Sequence, residues 1–127
     1  MVALTKNKPP RTRDGVGFAH PVAADTRIFQ GALVALDGSG NAVPATAAGG
    51  DAVGFAIKEA DNTGGAAGAI MVTVNKGVVL CANNGLDRTD LETAVSVTDD
   101  QTVGGVGAAT AGTLVDLDAG GAWVRID

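Results

Sequence analysis

Few residues in this chain are of the types and spacings that chemistry uses. His20 and Cys81 are its single histidine and single cysteine. A Ser-His-Asp or Cys-His nucleophile would have to use one of them, and a nucleophile needs a base positioned beside it. No Gly-x-Ser-x-Gly occurs, and Cys81 follows the apolar run Val78-Val79-Leu80, the setting of a small buried residue. Asp99-Asp100 offers two carboxylates, but neighbours on a strand point to opposite faces, so the pair reads as a turn. Asp87, Asp90 and Glu92 supply oxygen ligands without the Asp-x-Asp/Asn-x-Asp/Asn-Gly order of a calcium loop. "GGAAG" and "GGVG" are Gly-rich, yet no Gly-Lys-Ser/Thr follows to cradle a phosphate. The expectation is no catalytic residue, no metal site and no cofactor.

Two aspartates need more thought because they recur in the same context. "GALVALDGSGNAVPA" (Gly31 to Ala45) and "GTLVDLDAGGAWVRI" (Gly112 to Ile126) match at a constant offset. Shared positions are Gly31/Gly112, Leu33/Leu114, Val34/Val115, Leu36/Leu117, Asp37/Asp118, Gly40/Gly121 and Val43/Val124. An Asp at a hairpin turn bonds its own backbone two residues on. No base, nucleophile or metal partner recurs with the two aspartates, so Asp37 and Asp118 read as turn geometry. The duplication predicts two strand-turn-strand units in similar roles in one sheet system.

The elements around these residues are strands. In "DAVGFAIKEA", Val53, Phe55 and Ile57 alternate with Gly54, Ala56 and Lys58, which predicts a strand with one apolar face. "AIMVTVNKGVVLCAN" places Ile70, Val72 and Val74 on one face and Met71, Thr73 and Asn75 on the other, breaks at Lys76-Gly77 and resumes. "TAVSVTDDQTV" reads as strand, turn, strand, and Pro44 suits a strand end or an edge. The one helical turn falls at Arg88 to Glu92. Short strands, Gly-rich turns and no long helix predict an all-β fold, a small single-domain β-barrel or sandwich spanning 15–127. Residues 1–14 read as an extended basic N-terminal arm in which Pro9-Pro10 forbids helix.

Composition narrows the partners. Ala and Gly number 23 and 19 of 127 residues, and Phe18, Phe29, Phe55 and Trp123 are the only aromatics. Such side chains bury little apolar area, so subunit contacts are expected to add stability. The scarcity of aromatics also argues against a sugar- or base-stacking site. Lys6, Lys8, Arg11 and Arg13 give residues 1–13 four positive charges, whereas five bases and fourteen acids leave the rest at −9. An acidic body disfavours nucleic acid. No apolar run is long enough to span a membrane, and the N-terminus lacks the apolar core of a secretory signal. One cysteine forms no internal disulfide, which fits assembly in a reducing cytoplasm.

The chain resembles the small capsid decoration, or cement, proteins of tailed bacteriophages. The likeness is carried by "HPVAAD" (His20–Asp25), "GALVALDGSGNAVPA", "AVGFAIKEADNTGGAAGAIMVTVNKGVVL" (Ala52–Leu80), "TAVSVTDDQTV" (Thr93–Val103) and "AGTLVDLDAGGAWV" (Ala111–Val124). Their order and spacing carry it, since each alone is a Gly-turn β pattern. The resemblance implies a compact β fold on the outer surface of the virion capsid, with the major capsid protein and copies of itself as partners, commonly as a homotrimer. It implies neither catalytic residues nor nucleic-acid or membrane binding. The arm lies outside the likeness. Its Val2, Leu4, Lys6, Lys8, Pro9, Pro10, Arg11 and Arg13 are the candidates for contact with the capsid or a neighbouring copy. Two other classes compete: a host-surface-binding module of a tail or fibre, and a small hydrolase using His20 and Cys81.

Overall fold

The computed structural model describes residues 3, 5–7, 9 and 15–127. Among them the chain is all-β, with no α-helix. The first eight strands are β1 (Gly17–Pro21), β2 (Arg27–Ile28), β3 (Leu33–Leu36), β4 (Ala42–Pro44), β5 (Ala52–Ala56), β6 (Ala60–Asp61), β7 (Met71–Asn75) and β8 (Gly77–Asn84). A 3₁₀ turn at Arg88–Asp90 precedes β9 (Ala94–Val97), β10 (Thr102–Gly104), β11 (Thr110–Asp118) and β12 (Gly121–Ile126).

The N-terminal half is a five-stranded sheet in the order β1-β7-β5-β3-β4. It curls until its two edges touch, through the parallel bridge Val22↔Ala42 and the bond from Ala23 N–H to Ala42 O at 3.0 Å. Val22, Ile28, Val34, Ala42, Val72 and Val74 fill its concave side. The ribbon β2–β6 adds Ile28 and Ala60 to that core. Asn62 is the one buried polar residue among those described, and its Nδ2 donates to Ala23 O and Ala66 O, both at 2.9 Å. This satisfies an amide whose burial without partners would be costly.

The C-terminal half is a closed barrel in the order β10-β8-β12-β11-β9. All its pairs are antiparallel except β8–β10, where Thr102 lies beside Ala82. Closure removes free edges from this sheet. Its interior holds Cys81, Val95, Val97, Val103, Leu114, Val124 and Ile126, and Leu33, Ala35 and Ala45 of the first half join the same core. Polar ties reinforce the junction. Leu33 N–H donates to Asp100 O at 2.7 Å, Thr110 N–H to Asp51 Oδ1 at 2.8 Å, and Lys76 Nζ to Val53 O and Asp127 O at 3.0 and 2.9 Å.

Two expectations change. The duplicated hairpins, β3–β4 and β11–β12, lie in different sheets, and their registers differ. Leu36 pairs with Ala42 across a loop closed by Asp37 N–H to Asn41 O, whereas Asp118 pairs with Gly121 across a tighter turn, and a bulge at Val115 widens the register offset from one residue to two. Each hairpin takes its outer partner from its own half, β5 for β3 and β8 for β12. The role they share is that Leu33 and Leu114, 1 % and 0 % exposed, enter one common core. The second change is in β5. A bulge at Val53 breaks its alternation, so Phe55 packs on the barrel-side core while Val53 packs on the other with Ala56. Ile57 lies past the strand end and is exposed.

Candidate interaction surface

The residues singled out for chemistry are dispersed. His20 is on β1 opposite Val72, in the curled sheet. Cys81 is on β8 inside the barrel, where burial pushes its thiol up to about 11. A thiol so placed is protonated at neutral pH and screened from substrate. Asp99 Oδ1 accepts from Gln101 N–H at 2.9 Å in the turn between β9 and β10, while Asp100 contributes its backbone carbonyl to Leu33. Asp87 caps the 3₁₀ turn by accepting from Thr89 N–H, and Asp90 returns the bond by accepting from Asp87 N–H. The Thr89 hydroxyl and amide hold the Asp87 carboxyl below the ordinary aspartate value. Among the described residues no group of three or more His, Cys, Asp or Glu is placed to hold a metal ion.

The repeated aspartates are turn acceptors, as their spacing predicts. Asp37 Oδ1 accepts from Ser39 N–H and Asn41 N–H, both at 2.9 Å. Asp118 Oδ1 accepts from Gly120 N–H at 2.7 Å. Asp118 has a second task with no counterpart at Asp37, because its Oδ2 accepts from the Trp123 indole N–H at 2.8 Å. That indole bond, and then the Gly120 amide, hold its carboxyl below the ordinary aspartate value. The carboxylate therefore locks the side chain of the only tryptophan.

Trp123 belongs to the outer wall of the barrel. The alternation of β8 and β12 sends Cys81, Ala122, Val124 and Ile126 inward. It sends Val78, Leu80, Trp123 and Arg125 outward, and register sets Trp123 beside Leu80 and Arg125 beside Val78. Asp116 on β11 flanks Trp123 on the other side. Val78 and Leu80 remain 50 % and 43 % exposed, which leaves an apolar tile on the β8–β12 ladder. The described ion pairs are Arg27 with Glu59 and Asp61, and Arg125 with Asp127, so the acids beside Trp123 have no cationic partner among the described residues.

The other half exposes apolar groups too. Phe29 and Met71 are each 55 % exposed, and the Arg27 guanidinium lies 4.7 Å from the Phe29 ring centre while donating to Glu59. Met71 and Ile57 border a shallow cleft with Lys58, Glu59 and Thr73, where β5 turns away from β7.

Of the arm candidates, Lys6 and Pro9 are exposed, and Val2, Leu4, Lys8, Pro10, Arg11 and Arg13 lie outside the described residues. Sequence reasoning read Val78-Val79-Leu80 as an apolar strand run without assigning its faces, and left Trp123 without a role. The signal that separates them is the alternation of Val78 and Leu80 with Val79 and Cys81, legible once Cys81 is taken as an inward position. Comparison with protein-family models, with curated proteins and with solved structures finds no match.

Proposed function

We propose that the chain is a structural protein of a tailed-phage virion, which binds the outer surface of the mature capsid and stabilises the shell. One observation carries this reading: a small β body exposes apolar side chains on both of its halves, Phe29 and Met71 on one and Val78 and Leu80, beside the half-buried Trp123, on the other. A protein that cements a lattice needs to grip more than one neighbour, and two contact faces on one body meet that need. The ordered likeness of residues 20–124 to decoration proteins points the same way. Stabilisation then follows from mass action and multivalency, since a modest contact repeated over a closed lattice opposes rupture at every junction. The carboxylates of Asp37, Asp87, Asp90, Asp99 and Asp118 are engaged in turns and a cap, which suits a scaffold.

The test uses shells assembled from the major capsid protein of the phage that carries this chain. The protein should saturate expanded shells in proportion to shell subunits and raise the temperature or osmotic shock at which they rupture. Binding in only a few copies per particle, with no effect on rupture, would instead indicate a tail or fibre component. Hydrolytic activity lost in the His20→Ala, Cys81→Ala double variant would indicate an enzyme.

A further inference from the structure

We propose that the barrel wall formed by Val78, Leu80 and Trp123, rimmed by Asp116 and Asp118, receives the basic N-terminal arm of a second copy of this chain. The inference does not depend on the capsid reading.

The wall has the features of a binding hot spot. Its tryptophan is held before any partner arrives, because the Asp118 carboxylate is itself fixed by the Gly120 amide and accepts the indole N–H at 2.8 Å. An anchor already locked loses little rotamer entropy on binding. Leu80 lies against it across the ladder, and β12 is flanked by β11 and β8, so recognition on the Trp123 face rests on side chains.

Charge selects the occupant. Asp116 and Asp118 face no cation among the described residues, and the one base on the tile, Arg125, lies 3.5 Å from Asp127. The wall therefore calls for an apolar segment carrying positive charge. Within this chain that chemistry is concentrated in residues 2–13, with Val2 and Leu4 to cover Leu80 and with Lys6, Lys8, Arg11 and Arg13 to meet the acids and the indole face. Charge alone is insufficient at physiological salt, where the screening length is about 8 Å, so the apolar pair is part of the fit.

Position favours a second copy. The chain enters the body at the foot of this wall, since Val16 O accepts from Lys76 N–H at 2.7 Å and β8 begins at the next residue. In the single chain, Val78 and Leu80 stay exposed, and so do the described arm residues Ala3, Thr5, Lys6, Asn7 and Pro9. Because arm root and wall adjoin, copies set wall to wall can exchange arms in a closed pair or ring. Twelve extended residues span roughly 40 Å, enough to cross to a neighbour.

Full-length protein decides the matter. Sedimentation and Trp123 emission are followed together from micromolar to millimolar concentration. The expected result is association accompanied by a blue shift of the single tryptophan. Asp116→Lys on the wall, and Lys6→Glu with Lys8→Glu on the arm, should each weaken association at least tenfold. Mixing the two variants should restore it, because the carboxylates introduced at positions 6 and 8 then meet the ammonium introduced at position 116. Leu80→Asp, at an exposed position, should abolish it without unfolding the barrel. A monomer with concentration-independent Trp123 emission would overturn the proposal. So would association indifferent to these variants, or a mixture that fails to recover.

Discussion

Gly31 and Gly112 occupy equivalent places in the duplicated hairpins, yet the structure gives them opposite reasons to be glycine. Gly31 has φ +86, and a Cβ built there meets nothing within 4 Å. Its constraint is backbone conformation, which costs an L-residue about 1–2 kcal/mol and is eased for Asn, whose short polar side chain tolerates that region. Gly112 lies at the irregular β11–β9 register, and a Cβ there would fall 2.3 Å from Arg125 O and 3.0 Å from Val124 Cγ1. Its constraint is space, and the obstacle is a backbone carbonyl in the β11–β12 ladder that cannot swing aside. Overpacking costs about 1–3 kcal/mol, and the upper end is expected here. The two sites should therefore rank substitutions in opposite order. At position 31, Asn should be milder than Ala. At position 112, Ala should be milder than Asn, because every added atom deepens the clash. Thermal and urea unfolding of the four variants reads this out, at roughly 3–5 °C per kcal/mol for a chain of this length. If Gly112→Ala melts with the parent protein, or Asn and Ala rank alike at both sites, the reasoning from close approach against left-handed backbone is wrong.

Leu33→Ala and Leu114→Ala should each cost about 2–5 kcal/mol in urea unfolding, because both side chains are buried in the core shared by the two halves. Asp118 has a folded pKa below its unfolded one, so its contribution is present above the ordinary aspartate range and is lost as pH falls through the lowered folded value. In dilute protein, an acid titration of Trp123 emission should show a midpoint below the ordinary aspartate value, and Asp118→Asn should remove that transition. Cys81, with its thiol pushed up to about 11, should resist alkylation at pH 8 in the native state and react promptly in denaturant; fast native labelling would mean the barrel opens readily. Asp37→Ala should lower the melting temperature while Trp123 emission stays unchanged, whereas Asp118→Ala should change both.

Local signals in the sequence determined the strands and the turns. The alternation of Val72 and Val74 with Met71 and Thr73 marks β7, Lys76-Gly77 marks its separation from β8, and Pro44 marks the end of edge strand β4. The Asp turns at 37, 99 and 118 were legible for the same reason: an Asx acceptor and its amide lie two residues apart, so the whole interaction fits inside the segment that encodes it. The tertiary structure decided what depends on residues far apart in the chain. It closed β8 against β10 in parallel, set the two hairpins in separate sheets, and used a bulge at Val53 to divide β5 between two cores. It also decided that Leu80 faces solvent beside Trp123 while Cys81, its neighbour in sequence, faces the core. Apolar character alone could not tell these faces apart. An apolar residue carries the same local preference on either side of a strand, and the partner strands determine which side becomes interior.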